Sequence, residues 1–257
     1  MAVKIKVMTF NLRIRVINDG KNYFDFRTDK IKCVIDSEQP DLIGFQEAND
    51  HMADWLKATL SNYVILGHGR NEHYKGEGTY VAYRKDRFEL HGFREEWLSL
   101  FPNRPGSRFE GLDQSSCPRV FSRADLIHKD SKAPFAFYNI HTDHKGEKVR
   151  LLECSFLMRD VVSTSAPFVI AGDFNALPDS DSIRLILSTS SELGTVDATR
   201  FIRGSFHGFR GDVGANKIDY IFTNLPTDPH RSYGVADDDA CGHYYSDHNA
   251  LCAFVEV

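Results

Sequence analysis

Apolar runs that stop at an acid, an amide or a histidine recur along this chain, and that recurrence limits its fold more than any other feature. TFN ends at Asn11, FQE at Glu47, NIHTD at His141 and Asp143, and GDFN at Asp173 and Asn175. Asp219 lies inside KIDYIF, and Asp247 and His248 stand just before the last apolar run. Each run has the length and side-chain character of a strand. Six such positions are hard to explain as scattered surface polarity, because strand ends in a layered fold converge on one rim. In GDFN, Gly172 allows an awkward turn or a close approach. Residues i and i+2 of an extended chain share a side, so Asp173 and Asn175 are expected to project together, with Phe174 turned into the core. Taken alone, the same residues suit a turn equally well.

The intervening sequence supplies the layers. Val3, Ile5 and Val7 alternate with polar neighbours and predict a strand ending near Asn11. Residues 28–39 carry Ile31, Val34, Ile35 and Glu38 at helical spacing, with Thr28 as the expected cap and Pro40 as the stop. A strand over 41–48 and a helix over 50–60 follow, giving a strand–helix–strand–helix start. Further strands are predicted at 79–84, 88–97, 120–128, 134–141, 167–171, 217–223 and 250–257, with helices at 147–162 and 180–188. Two segments have little periodicity. One, between Trp97 and Pro118, carries Pro102, Pro105, Gly106 and Gly111 together with Arg104 and Arg108; the other is the glycine-rich stretch 203–217. Long irregular loops in a compact domain are often functional. No repeat and no composition break divides the chain, so one domain over 1–257 with two sheets is the simplest expectation.

Composition removes several classes. The chain has 257 residues, 42% of them hydrophobic and 26% charged, which suits a globular protein. No apolar stretch is long enough to span a membrane, and MAVKIKVMTF is not a signal peptide. The cytoplasm is the expected compartment. Five cysteines at 33, 117, 154, 241 and 252 form no CxxC pair, which argues against a disulfide framework and against a zinc site. A net charge of −5 disfavours gripping a long duplex by charge alone. No partner-protein motif is present.

The rim has a definite chemistry. Glu47 and Asp247 offer carboxylate oxygens, and Asn11 and Asn175 offer amide oxygens, a set that suits Mg²⁺ or Mn²⁺ better than zinc. Such a centre fits phosphate chemistry, where catalysis is mainly positioning and charge neutralisation. Asp247 and His248 are adjacent, so on an extended chain they point apart, and Asp219 is the better candidate to orient His248. Arg119 is a candidate phosphate contact. His207 is a candidate substrate contact. Asp143 and His144 either reach the metal shell or brace their loop. His68, His73 and His243 are read as surface residues.

Together TFNL, FQEA, NIHTDH, GDFNA, KIDYIF and SDH resemble the exonuclease–endonuclease–phosphatase family, over residues 9–248. The stretch EEWLSLFP…SCPRVFSRADL is similar to a bacterial branch related to nocturnin-type deadenylases. The resemblance implies a DNase-like α/β (α+β) fold: a four-layer sandwich of two packed, mainly antiparallel sheets flanked by helices. It also implies roles. Glu47 is the main metal ligand, with Asn11 and Asp247 close by. Asp173 orients or deprotonates the attacking water, Asn175 helps place the phosphate and His141 donates to a phosphate oxygen. His248, held by Asp219, stabilises the transition state, and Arg119 binds phosphate.

The expected activity is Mg²⁺- or Mn²⁺-dependent hydrolysis of a phosphate ester by water, with a phosphodiesterase or nuclease favoured. The alternatives are a phosphomonoesterase acting on a small phosphorylated metabolite or lipid head group, and a non-catalytic phosphate-binding module. A single-stranded nucleic acid would stack on loop aromatics such as Phe101, Phe109, Phe206 or Phe209. For a small phosphorylated molecule the arginines matter more.

Overall fold

The computed structural model describes residues 2–164, 166–189, 193–237 and 240–257. Strand β1 (Lys4–Asn11) is followed by helix α1 (Phe24–Glu38), β2 (Leu42–Ala48), α2 (Asp50–Thr59), β3 (Tyr63–Leu66) and β4 (Gly78–Arg84). Then come β5 (Phe88–Trp97), β6 (Val120–His128), β7 (Pro134–His141), α3 (Glu147–Thr164), β8 (Phe168–Asp173) and α4 (Asp181–Thr189). The chain finishes with β9 (Val196–Asp197), β10 (Asp219–Thr223), β11 (Tyr233–Gly234) and β12 (Leu251–Glu256). Two six-stranded sheets form, ordered β11-β12-β1-β2-β4-β3 and β5-β6-β7-β8-β10-β9. Among the described residues only β1–β2 and β7–β8 pair in parallel. Each of these pairs is bridged by a helix, as a parallel connection requires.

Side-chain parity along the strands explains the four layers. Ile5 and Val7 of β1 pack with Leu42, Phe137, Val169, Ala171 and Val255 in an apolar layer between the sheets. Met8 and Phe10 of the same strand face α1 and α2. On the second sheet Tyr138, Ile140, Ile170 and Phe222 face α3 and α4. Among the described residues no helix is long and apolar enough to cross a membrane.

Three local expectations need correction. Helix α1 begins at Phe24, one turn before Thr28, and its N-cap residue Tyr23 makes no side-chain cap bond. The periodicity was hidden because Arg27 occupies a buried position of the helix. Strands β3, β9 and β11 were not foreseen: β9 and β11 have two residues each, too short to show a period, and β3 is only YVIL. Strand β10 starts at Asp219 rather than at residue 217.

Arg27 holds the rim loops to the body. Its Nε donates to Asn22 O at 2.6 Å, Nη1 to Leu12 O at 2.8 Å and to Tyr245 O, and Nη2 to Arg13 O at 2.9 Å. Burial pushes its pKa down to about 10, against the pull of Asp247 and Asp19. Arg27→Met would strand these carbonyls in the interior, at a cost of about 3–5 kcal/mol. Thermal unfolding should then fall by roughly 10 °C. A shift of a degree or two would show that the loops do not depend on this side chain.

Candidate active site

Strand parity also builds the site. Asn11, His141, Asp173 and Asp219 continue the inter-sheet faces of β1, β7, β8 and β10, at the end where the apolar layer stops. His141 is in register with Asp173, and Asp173 with Asp219. One layer deeper, Gln46 donates to Asn139 Oδ1 at 2.6 Å, and Asn139 donates to the carbonyls of Phe45 and Tyr80. This polar clamp ties the sheets together beneath the site. It needs Gly44, where a Cβ would stand 2.7 Å from Asn139 Oδ1. Gly172 serves a similar close approach, because a Cβ there would lie 2.3 Å from Ile140 O.

A cleft of about 360 Å³ opens above this layer. Glu47, Arg119, His141, Asp173, Asn175, Asp247 and His248 line it, as the sequence led us to expect. Glu47 reaches it through a β-bulge: the β2–β4 register slips between Phe45 and Ala48, and Glu47 takes φ +61°. A left-handed non-glycine residue costs about 1–3 kcal/mol and is commonest at functional positions. The Glu47 carboxylate accepts the Ile14 amide at 2.8 Å and Asn11 Nδ2 at 3.2 Å. Burial opposes its ionisation, but the Ile14 amide, His248, Asn11 and Arg13 outweigh burial and hold its pKa below the usual range.

Asn11 faces the acids with its NH₂. It donates to Asp173 Oδ2 at 2.9 Å as well as to Glu47, while its oxygen accepts the Arg13 amide at 2.9 Å. It thus separates two carboxylates, rather than presenting the amide oxygen expected of a metal ligand. Asn175 sits in a left-handed turn at φ +46°, and its amide N–H donates to Asp173 Oδ1 at 2.9 Å. The turn reading of GDFN thus describes the backbone, and both of its polar side chains line the cleft. Phe174 is buried beneath it.

His248 Nδ1 lies 2.8 Å from Asp219 Oδ2, and Nε2 lies 3.9 Å from Asp173 Oδ2 and 4.0 Å from Asp247 Oδ1. The segment around 247–248 is not an extended strand, so the neighbours do not point apart; both face the cleft. Burial works against the imidazolium, but Asp219, Asp173 and Asp247 overcome it and raise the His248 pKa to about 10. Burial and then Asp219 push Asp173 up to about 7, against His248. His141 is driven the other way, well below its usual value, by burial and by Arg119 and Arg70.

The far wall is cationic. Arg119 is buried; Nη2 donates to His144 Nδ1 at 2.9 Å, Nη1 has no hydrogen-bond partner, and Nε makes only a longer ion-pair contact with Asp143. Asp143 accepts the amides of Ser115, Lys145 and Gly146 and stands 3.7 Å from Arg119. It braces its loop, whereas His144 lines the cleft.

Three charged cleft residues were not anticipated, Arg13, Arg70 and Glu77, nor were Ile14, Cys117 and Ile218 beside them. Arg70 pairs with Glu77 at 2.9 Å across the β3–β4 loop. The glycines and charges of GHGRNEHYKGEG were the available signal, and the missed strand before them concealed it. His207 is placed elsewhere than expected. It is buried, does not line the cleft, and its amide donates to Asp247 O at 2.9 Å. Phe206 does line the cleft, 4.9 Å from the His248 ring. Phe101, Arg104, Arg108 and Phe109 line a separate groove.

Metal-ligand chemistry fits this wall. One ligand atom each from Glu47, His141 and Asp173 lie within 4.8 Å of one another. Two carboxylates and one imidazole, with Asp247 beside them, form a mainly oxygen donor set of the kind that holds Mg²⁺ or Mn²⁺.

The sequence matches the Endonuclease/Exonuclease/phosphatase family over residues 8–248. A curated relative, the uncharacterized protein L388 of Acanthamoeba polyphaga mimivirus, is 26% identical over 158 residues, covering 58% of this chain and 58% of that protein. A crystal structure of an endonuclease/exonuclease/phosphatase from Bacteroides vulgatus superposes with a TM-score of 0.90 at 28% identity, over 99% of each chain. The human nocturnin catalytic domain, solved with a bound sulfate anion, shares the fold with a TM-score of 0.76 at 19% identity, over 100% of this chain and 97% of that one.

Proposed function

The chain belongs to the endonuclease/exonuclease/phosphatase family, whose members are hydrolases acting on phosphate esters, and from that premise we propose that it is a Mg²⁺- or Mn²⁺-dependent phosphodiesterase. The whole chain, 1–257, is its catalytic domain, and the cytoplasm, which suits its free thiols, is its compartment. Substrates are short single-stranded nucleic acids or small phosphorylated molecules, in keeping with the size of the cleft.

The observation that carries this reading is the array Asp219–His248···Asp173, with distances of 2.8 and 3.9 Å. Glu47 and Asp247, with His141 beside them, are the groups that would hold the cation, which would supply Lewis-acid stabilisation of phosphate oxygens when bound, and Asp173 is left free as the base. Asp173, with a pKa of about 7, is matched to accept a proton from water near neutral pH. Asp219 keeps His248 protonated and oriented, so that a fixed cation meets the charge developing at phosphorus. His141, held uncharged, has one ring N–H to donate. Arg119 and Arg70 bind the ester's anionic oxygens.

The N–H groups of Arg119 Nη1, which have no hydrogen-bond partner, favour one second reading. They match the extra charge of a phosphomonoester, which a diester lacks. Turnover of bis-p-nitrophenyl and p-nitrophenyl phosphate with Mg²⁺, Mn²⁺ or EDTA separates the two. Diester cleavage that falls more than about 100-fold in EDTA is expected. Monoester turnover alone would select the second reading. Undiminished activity in EDTA would sink both.

A further inference from the structure

We propose that the chain carries a second ligand site, outside the catalytic cleft, that binds a nucleobase. It lies between an edge strand of each sheet, where the loop joining β3 to β4 folds onto β5. His68, Tyr74, Phe93, Arg94, Glu95, Trp97 and Asn103 line an open groove of about 470 Å³, within the roughly 300–1,000 Å³ usual for small-ligand sites.

The walls are aromatic and set at angles. The Tyr74 ring centroid is 5.4 Å from His68 and 5.8 Å from Trp97, both edge to face. Trp97 is buried and fixed by its Nε1, which donates to Arg70 O at 2.6 Å. Tyr74 is 50% exposed. The chain holds this half-exposed ring in place by a strained backbone. His73 and Tyr74 are consecutive non-glycine residues at φ +60°. Strain of this kind persists only where the surroundings impose it, and it gathers at ligand clamps.

The polar edge is built as firmly. Glu95 is nearly enclosed, and its carboxylate accepts the His68 amide at 3.1 Å and Ser122 Oγ at 3.1 Å, with His68 Nδ1 at 2.7 Å. A fixed acceptor beside an aromatic wall suits the amino and imino N–H groups on the edge of a base. Phosphate is the wrong ligand here, because the cation of the lining, Arg94, is already paired with Glu96 and Asp160. The site also adjoins the cleft, since Trp97 donates to the carbonyl of Arg70, a residue that lines the catalytic wall.

The protein's two tryptophans, Trp55 and Trp97, make the test direct. In Trp55→Phe the remaining emission reports on Trp97 alone. Titration with adenosine, cytidine, guanosine and uridine should quench it saturably. Tyr74→Ala in that background should weaken binding about tenfold, the scale of one stacking contact, and Tyr74→Phe should restore it. The same titration in Trp55→Phe/Asp173→Asn should be unchanged, which keeps this result separate from the catalytic reading. No saturable response from any nucleoside, a response that Tyr74→Ala leaves intact, or saturation by methyl glycosides alone would overturn the proposal.

Discussion

Asp173→Asn is expected to lower kcat for phosphate-ester hydrolysis by about 10³-fold or more while the protein stays folded. The substitution keeps the shape of the side chain, and its remaining oxygen can still accept the Asn175 amide, now 2.9 Å from Oδ1. What disappears is the proton acceptor, together with the hydrogen bond that Oδ2 accepts from Asn11 Nδ2 at 2.9 Å. The same change removes a buried charge that faces Asp219. Burial and Asp219 raise the Asp173 pKa from an ordinary aspartate value to about 7. A raised carboxylate pKa means that ionising the group costs the folded state stability. That cost grows as pH rises from the unfolded value of about 4 to about 7, and is fully present above it. In EDTA at pH 8 the variant should therefore unfold at a higher temperature than the wild type. Gain of stability with loss of activity is the trade expected where like charges are assembled for function. An inactive variant that is also less stable would mean that Asp173 acts mainly in packing.

His248→Ala is expected to cost about 10³-fold in kcat, and Asp219→Asn about 10²-fold, because the latter acts only through the former. The double variant should be no worse than His248→Ala, since one chain of groups is broken in both. Additive losses would refute the pairing. The pH dependence offers an independent check. His248 has its folded pKa raised from about 6.5 to about 10. A raised histidine pKa adds stability that is fully present below about 6.5 and is lost as pH rises through about 10. Wild-type activity should keep its alkaline limb near 10, and Asp219→Asn should draw that limb down towards neutrality. An unmoved limb would show that Asp219 does not control the charge on His248.

The two variants test residues of unequal legibility. Asp173 could be placed from the chain alone, since it follows Val169 and Ala171 at intervals of two and ends an apolar strand. The same parity puts Asn11 after Ile5, Val7 and Thr9, and His141 after Phe135, Phe137 and Asn139. Strand periodicity is local, so β5, β6 and β7 were read with the bounds they have in the structure. Helix α1 was read short because a buried arginine interrupts its apolar face, and only the four carbonyls around Arg27 explain that residue.

Residues outside regular strands were a different matter. Glu47 owes its position to a bulge, and a bulge cancels the alternation from which direction is inferred. Asp247 and His248 face one cleft because their segment is not extended, so a rule for extended chains pointed them apart. Arg70 and Glu77 stand together because a loop folds back on itself, and Asn11 turns its nitrogen to the acids because two carboxylates from different strands meet there. By itself the sequence determined the layers, the parity of each strand and the chemical types at the strand ends, because those depend on neighbours two to four residues away. Only the tertiary structure decided which of those ends meet, which atoms face one another and how far each pKa moves. Those depend on burial and on charges brought close by strands far apart in the chain, as when Asn11 and Asp173, 162 positions apart, share a hydrogen bond.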